Sequence, residues 1–297
     1  MMKRKVANIL YILSTLGAIC ASSIVLCLLL WVLWRGFAVL DAHLFFGNVS
    51  PLSAILGQNA VFNGIFPALI GTLWLVILSL LLAIAPGIGC GIYLSFYATP
   101  FQKWLLNTMV DILAGIPSVI MGLFGFLSIL WLKNHLMPQA NSCLLLAALC
   151  LALLVLPTLI ATTKEALLSV PRDLMLNARA LGLKKGAILW YFLLPEARNG
   201  ILSGAILALG RVAEDTAVVM FVGAVANAGL PNGLFGRFES LSFYIYYNSQ
   251  NYQTQLELQN AMGASLVLLF LCGFLLLLGG ILKNISKRKR HVMQHQH

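Results

Sequence analysis

Gly210-Arg211-Val212-Ala213-Glu214-Asp215-Thr216 puts one guanidinium and two carboxylates inside an otherwise apolar stretch running from Ile201 to Ala226. An ionised side chain in a membrane helix costs on the order of 2.5–3.5 kcal/mol on insertion scales, so an interior cluster is a functional candidate. Arg211 stands three and four residues before Glu214 and Asp215, spacings that let all three share one helix face. The planar fork of an arginine donates two parallel hydrogen bonds to two oxygens, which suits a tetrahedral oxyanion. Two ionised carboxylates beside it would repel that anion. Either one carboxyl is protonated by burial or the two hold Arg211 until an anion replaces them, and the second, a resting ion-pair latch, is the expectation. A self-neutralised triad that only lets the helix insert is the plainer alternative. Thr216 closes the cluster and is counted with it.

A second candidate, Gly115-Ile116-Pro117-Ser118, interrupts the apolar stretch Leu106 to Trp131. Pro117 removes a backbone donor and kinks a helix, freeing carbonyls that protein or water must satisfy. A structural kink and a pathway role for Pro117 and Ser118 stand side by side. Pro86-Gly87 with Gly89 and Gly91 reads as close helix packing.

The third candidate is the polar, basic segment 164–199, which includes Val170-Pro171-Arg172-Asp173-Leu174, Ala178, Ala180-Leu181-Gly182 and Leu194-Pro195. Ala178 and Gly182 are four residues apart and are expected on one helix face, with Gly182 allowing a sharp turn or close approach. The residues from Gly182 to Pro195 allow a second short helix. Such a segment between two apolar stretches reads as a docking loop.

The elements that must carry these residues are membrane helices. The chain has 297 residues, of which 60% are hydrophobic and only 9% charged, against roughly a quarter charged in soluble domains. Stretches of about 20 apolar residues cross a bilayer, and six occur: Ile9 to Trp34, Ile65 to Tyr93, Leu106 to Trp131, Leu144 to Ala161, Ile201 to Ala226 and Met262 to Leu282. The first follows Lys3, Arg4 and Lys5 but is too long for a typical signal-peptide core, so it is read as retained. The expected fold is an all-α integral membrane chain with six transmembrane helices, a single domain over 1–297 and both termini cytoplasmic.

Orientation rests on basic residues near span ends. One alternate set of loops holds Lys3, Arg4, Lys5, Lys103, Lys164, Arg172, Arg179, Lys184, Lys185, Arg198, Lys283, Lys287, Arg288, Lys289 and Arg290, and the other only Arg35, Lys133 and Arg237. The net charge of +10 thus reflects topology, and the basic tail is expected to meet anionic membrane lipid rather than nucleic acid. On the other side, Phe238, Leu241, Tyr244, Ile245 and Tyr247 recur at three- and four-residue steps, predicting an interfacial amphipathic helix within an external loop over 227–260. Its expected role is an aromatic anchor, or else gating or contact with an external partner.

Other chemistries find little support. Cys20, Cys27, Cys90, Cys143, Cys150 and Cys272 all fall in or beside apolar stretches, where small packing residues are expected rather than disulfides or a zinc site. No metal site is expected. His43 and His135 sit in loops, no His-Glu-x-x-His occurs, and no Gly-rich loop ends in Gly-Lys-Ser/Thr, so neither an intramembrane enzyme nor an ATPase is expected.

Gly64-Ile65-Phe66-Pro67-Ala68 with Gly71-Thr72, Gly91-Ile92-Tyr93-Leu94, Ala114-Gly115-Ile116-Pro117-Ser118 with Gly122-Leu123-Phe124-Gly125, and Ala208-Leu209-Gly210-Arg211 resemble the phosphate-specific ABC transporter permeases. Phe238 to Tyr246 and the lack of a large insertion resemble the A-type subunit. Segment 164–199 is similar to the cytoplasmic coupling loop of such importers at Ala178, Gly182, Leu194 and Pro195, while Leu176 stands at the family's Glu and Phe192 at its Ile. The family's Gly-Arg-Ala-Ile-Gly-Glu-Thr is matched at Arg211 and, by register, at Asp215, with Glu214 in place of a Gly.

The resemblance implies the type I importer fold, a bacterial or archaeal plasma-membrane location and an ATP-driven, binding-protein-dependent phosphate import. It implies a heterodimer with the C-type permease, two cytoplasmic ATPase subunits and an extracytoplasmic phosphate-binding protein. No cofactor is implied in this chain, ATP and Mg being used by the partner ATPase. Arg211, Glu214, Asp215, Thr216, Pro117 and Ser118 are the implied substrate pathway, and Ala178, Arg179, Leu181, Gly182 and Pro195 the implied ATPase coupling residues. A permease for molybdate, tungstate or sulfate is the alternative.

Overall fold

The computed structural model describes residues 2–57, 59, 61–62, 64–139 and 141–294. The side chains of Lys3, Arg4, Lys5, Lys287, Arg288, Lys289, Arg290 and His291, and residues His295 and His297, lie outside the described residues. The chain runs through α1 (Met2–Phe37), α2 (Ala42–Phe46), α3 (Pro51–Ile55), α4 (Phe66–Ile92), α5 (Pro100–Gly115), α6 (Ser118–His135), α7 (Leu144–Leu168), α8 (Arg172–Ala180), α9 (Lys185–Ile188), α10 (Leu194–Glu214), α11 (Ala217–Val222), α12 (Leu241–Asn251) and α13 (Gln255–Gln294). Single π-helical turns, Tyr93–Tyr97 and Leu189–Leu193, extend α4 and lead into α10.

Five helices among the described residues are long and apolar enough to cross a membrane: Leu10–Phe37, Phe66–Tyr97, Ser118–His135, Leu144–Leu168 and Gln255–Ile281. Two of the six stretches read from sequence are not single helices. The stretch Leu106 to Trp131 divides between α5 and α6, because Pro117 lacks an amide and biases the residue before it towards extended backbone. Ile116 accordingly sits at φ −72°, ψ 122°. The stretch Ile201 to Ala226 divides between α10 and α11 at Asp215, whose backbone is extended at φ −72°, ψ 114°. Here no proline is involved. The Asp215 side chain accepts a hydrogen bond from the Val218 amide at 2.8 Å and so offers the backbone an alternative to the helix ladder.

The central element is α7, with Ala147, Ala148, Leu151, Val155 and Leu159 buried. Small residues let its neighbours approach. A Cβ at Gly87 of α4 would lie 2.7 Å from Leu159 Cβ, and one at Gly91 would lie 2.6 Å from Thr163 Cβ, which bears out the packing expected of that glycine run. Gly89 meets nothing and is open. From α10, Gly200 and Gly204 meet Ala166 and Thr162 of α7. α11 is seated on α6 in the same way, with Gly122 against Ala217 and Phe221 and Gly125 against Val222. α5 opens with a capping box in which the Thr99 amide donates to Gln102 Oε1 at 2.9 Å, and Pro100 occupies the first turn.

The segment after α11 turns back towards the helices. Ala224 and Phe238 form an isolated parallel bridge, and Phe238 is fully buried beside Gly223. α12 begins at Leu241 with Ser240 accepting from the Phe243 amide at 3.2 Å. Its apolar residues Leu241 and Tyr244 pack against Leu44, Ile65, Ala68, Ala264 and Val267.

Between the bridge and α12, Glu239 is 4% exposed, and burial pushes its carboxyl up from 4.5 to about 7 against the opposing pull of the Asn227 amide. Between those pH values the folded carboxyl keeps a proton that the unfolded chain has released. Stability from this group is therefore highest at the acid end and is lost as pH rises through about 7. In detergent, the thermal midpoint is expected to fall between pH 5 and 8, and Glu239→Gln to flatten that slope, by on the order of 3 kcal/mol. An unchanged slope in the variant would assign the pH dependence elsewhere.

Candidate functional site

The two helix breaks face one another. The C-terminal end of α5 and the C-terminal end of α10 wall an open hollow of about 690 Å³, lined by Ala114 to Ser118, Gly210, Arg211, Glu214 and Asp215, with Leu207 and Leu276 beside them. Five of the six residues read from sequence as pathway residues therefore meet, although ninety-four positions separate Pro117 from Arg211. Thr216 does not line the hollow; it precedes α11 and its carbonyl accepts from the Met220 amide at 2.9 Å.

The latch expected from sequence is not closed. Among the described residues, no ion pair within 4.0 Å joins Arg211 to Glu214 or Asp215. For Asp215 the reason is the break itself: it has left the helix, so the spacing that would place it on the Arg211 face no longer applies, whereas Glu214 is still the last residue of α10 and stays exposed. Its carboxylate instead caps α11 through the Val218 amide and faces the Ser118 hydroxyl and the Ala217 amide, with Arg211 acting on it only at longer range. Arg211 and Glu214 are exposed on the surface of the single chain, and Asp215 is half-buried.

This arrangement can hold an anion. The Arg211 fork makes no ion pair with the neighbouring carboxylates, and the hollow is open, so that a second surface can cover it. Asp111, exposed on α5 four residues before Gly115, is a further charge in an apolar stretch that the sequence reading missed, and it does not line the hollow. The signal was present, a carboxylate in an apolar stretch, and is the one that found Arg211. Also missed was the bond from Lys164 Nζ to Asn107 Oδ1, 2.9 Å, which ties α5 to α7.

In segment 164–199, α8 ends at Ala180 and Gly182 lies beyond it at φ +75°, in the left-handed region that glycine favours. The Gly182 amide donates to the Arg179 carbonyl at 2.9 Å and the Leu183 amide to the Ala178 carbonyl at 3.3 Å. The expected shared face of Ala178 and Gly182 therefore does not form, because Gly182 terminates the helix. Ala178 is buried, 1% exposed, among Leu167, Ile188, Leu189 and Leu193. Arg179 and Leu181 point outward, Leu181 with 77% of its surface exposed. Pro195 stands in the first turn of α10. Packing thus falls to Ala178 and display to Arg179 and Leu181.

Residues 87–291 match the family described as the binding-protein-dependent transport system inner membrane component. Phosphate transport system permease protein PstA 1 of Mycobacterium tuberculosis is 29% identical over 269 residues, covering 89% of this chain and 84% of that protein. PstA of Mycobacterium leprae is 31% identical over 228 residues, 76% and 73% of the two chains. PstC of Pasteurella multocida is 27% identical over 250 residues, 77% of each. Among solved structures, an inward-facing MetNI methionine ABC transporter aligns with TM-score 0.58 at 19% identity, covering 80% of this chain and 99% of that one. A bacterial alginate ABC transporter in complex with its alginate-bound periplasmic protein aligns with TM-score 0.59 at 15% identity, covering 90% and 95%. Those two likenesses carry the fold alone. The chain belongs to the family of binding-protein-dependent transport system inner membrane components and groups with its PstA-type phosphate permeases.

Proposed function

We propose that this chain is one permease subunit of an ATP-driven importer that moves inorganic phosphate into the cytoplasm by alternating access. The observation that carries the reading is the meeting of Arg211 with both helix breaks in one open hollow. A half-site of this kind needs a second wall, and a C-type permease across the dimer is the partner, in keeping with the chain's likeness to PstC as well as PstA.

In this reading α10 and α11 together make the fifth crossing, giving six, with both termini and α8–α9 cytoplasmic and α12 external. The skewed distribution of Lys and Arg supports that orientation. Two cytoplasmic ATPase subunits, which use ATP and Mg, dock on α8 through Arg179 and Leu181, and a phosphate-loaded binding protein docks on the opposite face. The membrane is the bacterial or archaeal plasma membrane. This subunit breaks no bond. ATP binding draws the two docking loops together and turns the hollow outward; phosphate passes to the Arg211 fork; hydrolysis returns the hollow inward. Selection against other anions falls mainly to the binding protein.

The test is ATP-dependent uptake of labelled phosphate into proteoliposomes holding this chain, its partner permease, the ATPase and the binding protein, with sulfate, molybdate and tungstate as competitors. Uptake insensitive to those anions is expected. ATP turnover stimulated by another oxyanion, without phosphate uptake, would overturn the substrate and leave the fold.

For the docking loop, Gly182→Val is expected to cut co-purification of the ATPase at least about tenfold at normal permease yield. A β-branched residue is strained at positive φ by roughly 1–2 kcal/mol or more, although a Cβ there has nothing within 4 Å. Gly182→Asn, which tolerates that conformation, is expected to retain the ATPase. Normal capture by the valine variant would remove the turn from the docking surface.

A further inference from the structure

The backbone between Phe238 and Ser242 is held at three points, one at the end of α11 and two on α4. Phe238 joins it to the end of α11 through the bridge with Ala224, the Val225 amide donating to the Phe238 carbonyl at 3.0 Å. The Glu239 carbonyl lies against Gly71 of α4, where a side chain would have no room. Two residues on, the Leu241 amide donates to Thr72 Oγ1 at 2.8 Å, and Thr72 in turn donates to the Ala68 carbonyl at 2.8 Å. This short segment cannot move without moving α4 or α11.

Ser242 makes the fourth connection. It is 5% exposed, and its hydroxyl donates to the carbonyl oxygen of Asp215 at 3.3 Å, while Ser240 Oγ lies 3.2 Å from it. Asp215 is the break between α10 and α11: its carboxylate caps α11 and faces Ser118 at the start of α6. Arg211 is one turn back on α10. The path from the start of α12 to the anion hollow therefore has a single hydrogen-bonded step, from Ser242 to Asp215. It uses the main-chain carbonyl of Asp215 and no side chain of the hollow.

We propose that Ser242 is a positioning residue that transmits the state of the α12 face to the α10–α11 break and so sets Arg211 for the anion. The proposal rests on the reading above, in which α12 faces the extracytoplasmic binding protein. Docking of that protein on the 227–251 segment shifts the start of α12, Ser242 carries the shift to Asp215, and the break re-aims the turn that bears Arg211. Ser242 touches no substrate in this scheme. The covalent structure is unchanged throughout, and only hydrogen bonds are exchanged.

The experiment uses the assembled complex in lipid nanodiscs and compares wild type with Ser242→Ala, Ser242→Cys and, as a control on the same helix, Ser249→Ala, whose hydroxyl, among the described residues, bonds only its own helix at the Tyr246 carbonyl. ATP turnover is measured without binding protein and against increasing phosphate-loaded binding protein. Ser242→Ala is expected to keep basal turnover and the concentration giving half-maximal stimulation, and to lose about fivefold of the stimulated maximum, the scale of one hydrogen bond. Ser242→Cys, equal in shape but a weak donor, is expected to behave like alanine, and Ser249→Ala like wild type.

Unchanged stimulation in Ser242→Ala overturns the proposal. So does an equal fall of basal and stimulated turnover, which would mark Ser242 as structural only, and so does a shift confined to half-maximal concentration, which would mark it as part of the docking surface. If the wild-type complex answers a binding protein loaded with another oxyanion and not phosphate, the substrate reading fails. The same comparison made with that anion still decides the role of Ser242.

Discussion

Arg211→Ala is expected to lower phosphate uptake by at least about 100-fold while the chain still inserts and assembles. The loss follows from two charge-assisted hydrogen bonds of about 1.5–3 kcal/mol each, at about 1.4 kcal/mol per tenfold. Folding should tolerate the change, because Arg211 is exposed on the single chain and makes no ion pair within 4.0 Å with Glu214 or Asp215 whose loss would strand a charge. Arg211→Lys keeps the charge and loses the fork, so about a tenfold deficit is expected, intermediate between the two. The measurement is initial uptake into proteoliposomes, with ATPase co-purification as the check on assembly. Uptake at the wild-type rate in Arg211→Ala would move the anion site away from the hollow.

Gly71→Ala is expected to destabilise the permease by about 3 kcal/mol, the upper end of the usual cost of overpacking. An alanine Cβ there would overlap the Glu239 carbonyl oxygen, which is backbone and cannot swing aside as a side chain tip can. Relief would require α4 to separate from the segment 238–242, breaking the bond between the Leu241 amide and Thr72 and exposing Phe238 and Leu241, both fully buried. The outcome is read as a lowered thermal midpoint in detergent and a loss of monodisperse protein. Gly89→Ala, on the same helix with nothing within 4 Å, is the control and should be neutral or slightly stabilising from helix propensity. Equal behaviour of the two variants would show that the α4 contact with Glu239 is not tight in the folded protein.

Arg211 and Gly71 differ in how much of their role is legible along the chain. Arg211 stood out for a local reason: a charge in an apolar stretch is costly wherever the helix packs. Gly71-Thr72 stood out only as part of a family resemblance, and its physical role is a contact with residues some 170 positions away. No local property of a glycine inside an apolar helix distinguishes Gly71, pressed against a carbonyl, from Gly89, which meets nothing.

The sequence alone determined that the chain is helical and membrane-embedded, where its charged residues cluster, and which segment is polar enough to leave the membrane. Those are consequences of composition and spacing, which act within a window of a few helical turns. It also marked Pro117 as an interruption of its stretch, but it read Arg211, Glu214 and Asp215 as one face of a continuous helix and placed no break there. Only the tertiary structure decided that the breaks separate α5 from α6 and α10 from α11, and that they face one another across one hollow. It also decided that Asp215 caps α11 instead of pairing with Arg211. The reason is physical: Asp215, four residues from Arg211, can share its face only while the helix between them persists, and here the amides of the next helix and Ser118 compete for its oxygens. That competition is settled by which elements meet in space, and spacing along the chain does not encode it.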